Sequence, residues 1–123
     1  MAFEISNLSE EEKIILSQNL GGANTIIVPA KKRVLCPEIY GPNHSVGIRI
    51  PDHHFGKNLV QTLKYPITTT SVNHTGEPPL NDPDDIMKQF GNKIDLIVDE
   101  GSLPYSQGST IYKLIDNKLE IIR

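Results

Sequence analysis

Apolar side chains occur along the chain in short blocks, which glycine, proline and polar runs separate. Residues 24–30 are rich in β-branched side chains, which is typical of a buried strand, and residues 45–51 alternate apolar with polar or small residues, which is typical of a half-buried strand. The same reasoning predicts further strands at residues 65–71 and 94–101, and two strands within residues 109–123 that a turn at Asp116-Asn117 joins.

Three segments carry the signals of helices. The first begins at Ser9, which stands three residues before Glu12 in the spacing of a capping box, and it ends at a glycine pair. The second is predicted to follow Asp52 as its cap and to place a stripe of apolar residues on one face. The third follows a cap at Asn81 or Asp82, begins at Pro83 and stops at Gly91.

The order of these elements predicts the fold class. Helices alternate with strands until a terminal hairpin, so we expect an α/β domain with a mixed sheet and helices packed on it, and loops at residues 31–44 and 101–109. A length of 123 residues with 37% hydrophobic content predicts one domain. A lone cysteine, Cys36, excludes an internal disulfide, and the absence of a signal peptide or a membrane-spanning stretch predicts a cytoplasmic protein.

The charge balance narrows the possible partners. A net charge of −3 argues against broad, sequence-independent binding of nucleic acid, which usually requires a basic excess. Lys31, Lys32 and Arg33 nevertheless form a local basic cluster in the first long loop. This cluster is interpreted either as a solvated surface or as a contact for an anion or RNA.

The candidate chemistry lies at the ends of the predicted strands. No Walker loop, nucleophile elbow or zinc-finger spacing is present, and His53 and His54 are adjacent, so they would point about 100° apart on a helix and would not chelate one metal. Arginine offers a forked cationic donor set, and serine and threonine hydroxyls add neutral donors. Such side chains at strand ends indicate either an ordinary solvent-exposed sheet surface, on which the arginine covers apolar groups, or a site for an anionic ligand. The members of this site would be Ser45, Arg49, Thr69, Ser71, Asn73, Ser109 and Thr110.

Four motifs in the same order give the chain a family resemblance. Residues 46–53 read V-G-x-R-x-P-D-H, residues 71–79 read S-x-N-x-T-G-E-P-P, residues 95–101 read D-L-I-x-D-x-G, and residues 108–111 read G-S-T-I. With this order and spacing the chain closely resembles the YrdC-like family of threonylcarbamoyl-AMP synthases. The segment around Thr25 is similar to the family's P-G-P-x-T-x-I strand entry, with different residues at the first positions.

The resemblance implies a fold and a reaction. The fold is a twisted mixed sheet flanked by helices around a concave cavity. The reaction converts L-threonine, bicarbonate and ATP, with Mg²⁺ accompanying the nucleotide, into threonylcarbamoyl-AMP and pyrophosphate, for modification of an adenosine beside the tRNA anticodon. The polar run at residues 68–83 would then be a loop that lines the substrates, and Gly76 and Pro78-Pro79 would fix its turn.

The resemblance also distributes roles among the residues, although it names no catalytic side chain. Threonine would be bound by Arg49, which would hold its carboxylate, and by Thr69 and Ser109. The nucleotide would be contacted by Ser45, Ser71, Asn73, Thr110 and Arg123, of which Arg123 would pair with a phosphate. No protein-bound metal is implied apart from the Mg²⁺ that the nucleotide carries.

One part of the family pattern is absent. The P-T-D-T-x-Y-G-L stretch and the K-x-R clamp for nucleotide phosphates do not occur, so residues 1–123 would be a single YrdC-like domain that lacks the family's N-terminal section, and Pro79 replaces a family serine. Two functions follow as hypotheses. The chain is a synthase domain that a longer product, a partner chain or self-association completes, or it is a truncated, non-catalytic protein that binds nucleotide, tRNA or double-stranded RNA.

Overall fold

The computed structural model describes residues 1–104 and 108–123, so residues 105–107 of the predicted loop 101–109 lie outside the described residues. The helices are α1 (Ala2–Ile5), α2 (Glu10–Asn19), α3 (His54–Leu63) and α4 (Pro83–Phe90). The strands are β1 (Asn24–Pro29), β2 (Ser45–Ile48), β3 (Thr110–Ile115) and β4 (Lys118–Ile121). The loop between β1 and β2 contains two short 3₁₀ turns, Pro37–Ile39 and Pro42–His44.

The four strands form one mixed sheet in the order β2-β1-β3-β4. β1 pairs antiparallel with β2, placing Ile26 opposite Ile48, and it pairs parallel with β3, placing Thr25 opposite Ile111. β4 pairs antiparallel with β3 across a tight hairpin. The predicted turn is confirmed, because Asp116 and Asn117 have φ angles of 47° and 61°, the left-handed conformation that two-residue hairpin turns require. The expected α/β class with a mixed sheet is therefore confirmed.

One face of this sheet is the core. Side chains alternate between the two faces of a strand, so every second strand side chain is buried. Two helical side chains cover this buried face. Leu16 comes from α2, whose predicted capping box between Ser9 and Glu12 is present, and Ile5 comes from α1, a short helix that the sequence pattern did not predict. The buried strand side chains are Ile26, Val28, Val46, Ile48 and Leu114.

The chain divides into two compact units. The first contains Met1–Thr68 and Gly108–Arg123 and includes the whole sheet. The second, Thr69–Gln107, contains α4, for which the predicted cap is confirmed at Asp82, whose carboxylate accepts a hydrogen bond from the backbone N–H of Asp84. This second unit holds no strand among its described residues.

The strands predicted at residues 65–71 and 94–101 are therefore wrong for this structure. Both segments lack regular secondary structure, and Leu96 and Val98 are 80% and 57% exposed although their sequence is that of a buried strand. A strand exists only where its backbone groups pair with a neighbour, and neither segment joins a ladder within the described part of the chain.

The prediction that Asp52 caps the second helix is also wrong. The helix begins at His54, and His53 occupies the N-cap position. The Asp52 carboxylate instead accepts a hydrogen bond from Lys57 Nζ at 2.6 Å, and this bond together with the positive charge of Lys57 lowers the pKa of Asp52 below its ordinary value of 3.8. Asp52 thus pairs with a side chain one turn into α3 rather than with a backbone N–H.

Candidate substrate-binding site

Four of the predicted site residues, Arg49, Ser109, Thr110 and Arg123, lie at one end of the sheet. β2 ends at Ile48 beside Ile26, so Arg49 emerges next to the start of β1. Its Nε donates to the carbonyl oxygen of Gly22 at 3.4 Å, and no other hydrogen bond joins its guanidinium to the described residues. The exposed guanidinium thus keeps most of its donors for a ligand.

Ser109 is held at the same end by a bond across the sheet. Its hydroxyl lies 2.6 Å from the hydroxyl of Thr25 in β1, and both side chains are partly buried. The next residue, Thr110, donates its backbone N–H to Ala23 at 2.9 Å. These bonds fix Ser109 and Thr110 relative to the turn that Arg49 contacts, so residues far apart in the sequence share one end of the sheet.

A β-bulge determines the position of Arg123. The N–H groups of Ile122 and Arg123 both approach the carbonyl oxygen of Ile111, at 2.8 and 3.4 Å, and Ile111 N–H donates to the carbonyl oxygen of Arg123 at 2.7 Å. Ile122 and Arg123, which follow β4, thus both oppose Ile111 of β3. This pairing of two residues with one is the pattern of a bulge. The register of the hairpin would otherwise place Arg123 opposite Thr110, so the bulge moves Arg123 level with Ile111.

These side chains lie on the sheet face opposite the core. Residues that pair across strands project on the same side, so Thr25 shares a face with Ile111, and Ser109 shares it by alternation. Gly47 belongs to the same face, because a Cβ there would lie 3.4 Å from Cγ2 of Thr25. A side chain at position 47 would cover the sheet surface between Arg49 and Thr25. Glycine leaves this surface accessible.

Ser45 is not brought to this end. It pairs with Pro29 at the far end of β1, and four residues of extended chain put it about 13 Å from Arg49. Its hydroxyl donates to the carbonyl oxygen of Pro42 at 2.7 Å. The predicted role of Ser45 beside the nucleotide stays a prediction.

The second unit carries the other three predicted residues. Thr69 and Ser71 are exposed, and Asn73 organises the turn that follows them. Asn73 Nδ2 donates to the carbonyl oxygens of His74 and Glu77, at 2.9 and 3.0 Å, while its buried Oδ1 has no partner among the described residues. The turn depends on glycine, since residue 76 has a φ of +90°.

The second unit also supports this turn through α4. The ring of His74 lies 4.9 Å from that of Phe90, and Gln89 donates to the Glu77 carboxylate at 3.2 Å. The polar run therefore contains a fixed turn, as predicted for the segment around Gly76. The hydroxyls of Thr69 and Ser71 precede this turn in the chain.

Sequence reasoning missed Thr25 as a site residue. The only signal was its place in the strand-entry motif, where it matches the threonine of P-G-P-x-T-x-I. The hydroxyl contact between Thr25 and Ser109 joins residues that are 84 positions apart in the sequence. Only the parallel pairing of β1 with β3 reveals this contact. No cluster of three or more histidine, cysteine or acidic side chains suitable for a metal occurs in residues 1–104 and 108–123.

Comparison with known proteins identifies the class to which this sheet and site belong. The sequence profile of the Sua5, YciO and YrdC family, described as telomere recombination, matches residues 1–123. The chain belongs to this family.

Individual relatives carry more specific names. A Methanocaldococcus jannaschii protein that is provisionally named a threonylcarbamoyl-AMP synthase is 38% identical over 90% of this chain and 51% of its own length. The threonylcarbamoyl-AMP synthase of Chromohalobacter salexigens is 30% identical over 89% of this chain and 58% of its own length. The chain thus spans about half the length of these curated relatives.

Solved structures share the fold. The crystal structure of Escherichia coli YciO superposes on 99% of this chain and 59% of its own with a TM-score of 0.84 at 23% identity. The Pyrococcus abyssi Sua5 complexed with L-threonine covers 97% of this chain and 35% of its own with a TM-score of 0.82 at 25% identity. No helix among the described residues is long and apolar enough to cross a membrane.

Proposed function

We propose that this chain supplies the threonine-binding part of a threonylcarbamoyl-AMP synthase that acts in tRNA modification. The observation that carries the proposal is that Arg49, Ser109 and Arg123 lie at the same end of the sheet, on elements that are far apart in the sequence. Family membership and the names of the relatives support the same reaction. In this reaction L-threonine, bicarbonate and ATP give threonylcarbamoyl-AMP and pyrophosphate.

Threonine would bind across the first three strands. β2 and β3 flank β1 at about 5 Å each, and Ser109 lies two residues along the strand from the level of Arg49, so their backbones are separated by about 12 Å, which the long Arg49 side chain and an amino acid together can bridge. The Arg49 fork would hold the carboxylate, because a guanidinium pairs with a carboxylate through two parallel hydrogen bonds. The Thr25–Ser109 hydroxyl pair would accept hydrogen bonds from the polar groups of threonine.

ATP would be bound by Arg123 and by polar groups. Arg123 would pair with a phosphate, beside Thr110. Because the described residues provide no cluster of three metal ligands, Mg²⁺ would be bound through the nucleotide phosphates. The threonine nitrogen would bond to the bicarbonate carbon with loss of water, and the carbamate oxygen would then displace pyrophosphate at the α-phosphorus.

The protein's contribution would be positioning. Holding the carbamate oxygen and the α-phosphorus together replaces a collision of separate molecules, and fixed cations stabilise the charge that develops. Since the chain spans about half the length of its relatives, we propose that activity requires the section they have in addition. That section would come from a longer product, a partner chain or a second copy.

Calorimetric titration with L-threonine tests the central assignment. Arg49→Ala should bind threonine ten- to a hundredfold more weakly, because a hydrogen-bonded charge contributes about 1.5–3 kcal/mol. The matched control is Arg33→Ala, which removes an identical side chain from the loop that follows β1. Equal threonine affinity of the two variants would contradict the assignment.

Pyrophosphate release then tests the reaction. The chain is mixed with the N-terminal section of the Methanocaldococcus jannaschii relative, ATP, Mg²⁺, bicarbonate and threonine, and we expect release that depends on threonine and is lost with Arg49→Ala. Binding of nucleotide or RNA without any threonine-dependent heat or release would instead support the non-catalytic hypothesis.

A further inference from the structure

We propose that the loop between β1 and β2 forms a second anion site, which binds a phosphate group and is separate from the substrate site. Its cations are Lys31, Lys32 and Arg33. They follow the C-terminal end of β1, whereas the substrate site lies at the N-terminal end. Five steps of extended chain from Thr25 to Ala30 separate the two places by about 16 Å. The inference goes beyond the proposed synthase function and does not rest on it.

Two adjoining cavities define the site. One has a volume of about 420 Å³ and the other about 450 Å³, and Lys32 and His44 line both. Lys31 and Asn43 belong to the first cavity, and Arg33 and Tyr40 belong to the second. The cationic side chains therefore surround a depression that has room for a phosphate and its attached sugar.

The Tyr40 hydroxyl holds this loop in one conformation. It donates to the carbonyl oxygen of Lys31 at 2.9 Å and accepts from the N–H groups of Val34 and Leu35, at 3.2 and 3.0 Å. The Tyr40 ring also stacks on His44, with 3.9 Å between the centroids and 17° between the planes. A loop that is fixed in this way loses little conformational entropy when it binds a ligand.

His44 provides an independent sign of a ligand. Its Nε2 is buried and has no hydrogen-bond partner among the described residues, although buried polar atoms are nearly always paired. His44 and Asn43 have φ angles of 57° and 56°, the left-handed region that is costly for a non-glycine residue. The side chain of His44 lines both cavities, so this strained and incompletely paired residue stands beside the place where the anion would bind.

The local charge selects the class of ligand. Residues 30–45 contain three permanent cations and one acidic residue, Glu38, in a chain whose net charge is −3. Lys31 Nζ is already bonded to the carbonyl oxygen of Phe3 at 3.0 Å, whereas Lys32 and Arg33 have no side-chain hydrogen bond to the described residues. Two cations without a side-chain partner among the described residues, beside one depression, match the several oxygens of a phosphate group.

The experiment compares two variants by NMR titration of the backbone amides. Lys32→Gln/Arg33→Gln removes the two free cations, and Lys88→Gln/Lys93→Gln removes the same charge from the second unit as a control. Inorganic phosphate and pyrophosphate test a free anion, and a single-stranded RNA oligonucleotide tests a phosphate carried by a polymer. We expect shifts at residues 31–44 and affinity about tenfold lower in the first variant only.

Each result decides a definite question. If small anions and RNA both shift residues 31–44, the site binds phosphate from either source, and if RNA alone does so, the phosphate belongs to a polynucleotide. For RNA, each lost phosphate contact should also lower the slope of log affinity against log salt by about 0.7. Unshifted amides at residues 31–44, or equal affinity of the two variants, would overturn the proposal, whatever the threonine titration gives.

Discussion

At the scale of single residues, the substrate site depends on contacts that cross the sheet. Arg49 and Ser109 stand out in the sequence because each belongs to a motif of the family, and their roles stay predictions. The importance of Thr25 could not be predicted, since its partner is 84 residues away and the contact exists only in the folded sheet. The position of Arg123 depends on a bulge, and no local sequence signal distinguishes that bulge from a regular strand end.

We expect Thr25 to position Ser109 for the ligand, and Thr25→Val tests this role. Valine preserves the shape and the strand preference but removes the hydroxyl that holds Ser109, so threonine affinity should fall about fivefold, as expected for one neutral hydrogen bond of about 1 kcal/mol. Calorimetry with threonine measures the effect, and Thr25→Ser should restore the affinity because serine retains the hydroxyl. If Thr25→Val binds threonine like the unaltered chain, the hydroxyl pair does not orient the ligand.

At the scale of elements, helices were predicted better than strands because their signals are local. The capping box of α2 and the proline at the start of α4 lie within the helices they define. The hairpin of β3 and β4 was equally local, since its turn fixes the pairing. Residues 65–71 and 94–101 have strand composition, but whether they pair depends on other parts of the polypeptide, which composition cannot reveal.

α2 should contribute to stability through one face. Leu16 is 0% exposed and packs in the core, whereas Ile14 on the same helix is 57% exposed. Leu16→Ala should reduce the free energy of unfolding by about 2–5 kcal/mol, because it removes buried methyl groups and leaves a cavity. Urea unfolding followed by circular dichroism measures the loss.

The matched variant Ile14→Ala should change the free energy of unfolding by less than about 1 kcal/mol, since its side chain is already half in water. Equal losses in the two variants would show that α2 does not pack through Leu16.

At the scale of the whole molecule, the chain has a buried core and also exposed apolar side chains that none of the described residues covers. The core face of the sheet is closed by α1 and α2. In contrast, residues 94–98 contain Leu96 and Val98, which are 80% and 57% exposed. Extended apolar segments with unpaired backbone groups are suited to pairing with another strand. The curated relatives are about twice as long as this chain.

Hydrogen–deuterium exchange tests whether residues 94–98 become a strand when the remaining section is supplied. In the isolated chain their amides should exchange rapidly, because they join no ladder among the described residues. Adding the N-terminal section of the Methanocaldococcus jannaschii relative should slow exchange at residues 94–98 at least tenfold if a ladder protects them by about 1.4 kcal/mol or more. Leu96→Lys should prevent this protection by placing a charge in the new core, whereas Met87→Lys, at a comparably exposed apolar position on α4, should retain it. Rapid exchange at residues 94–98 in the mixture, when both polypeptides are folded and at high concentration, would show that these residues stay unpaired and would contradict the prediction.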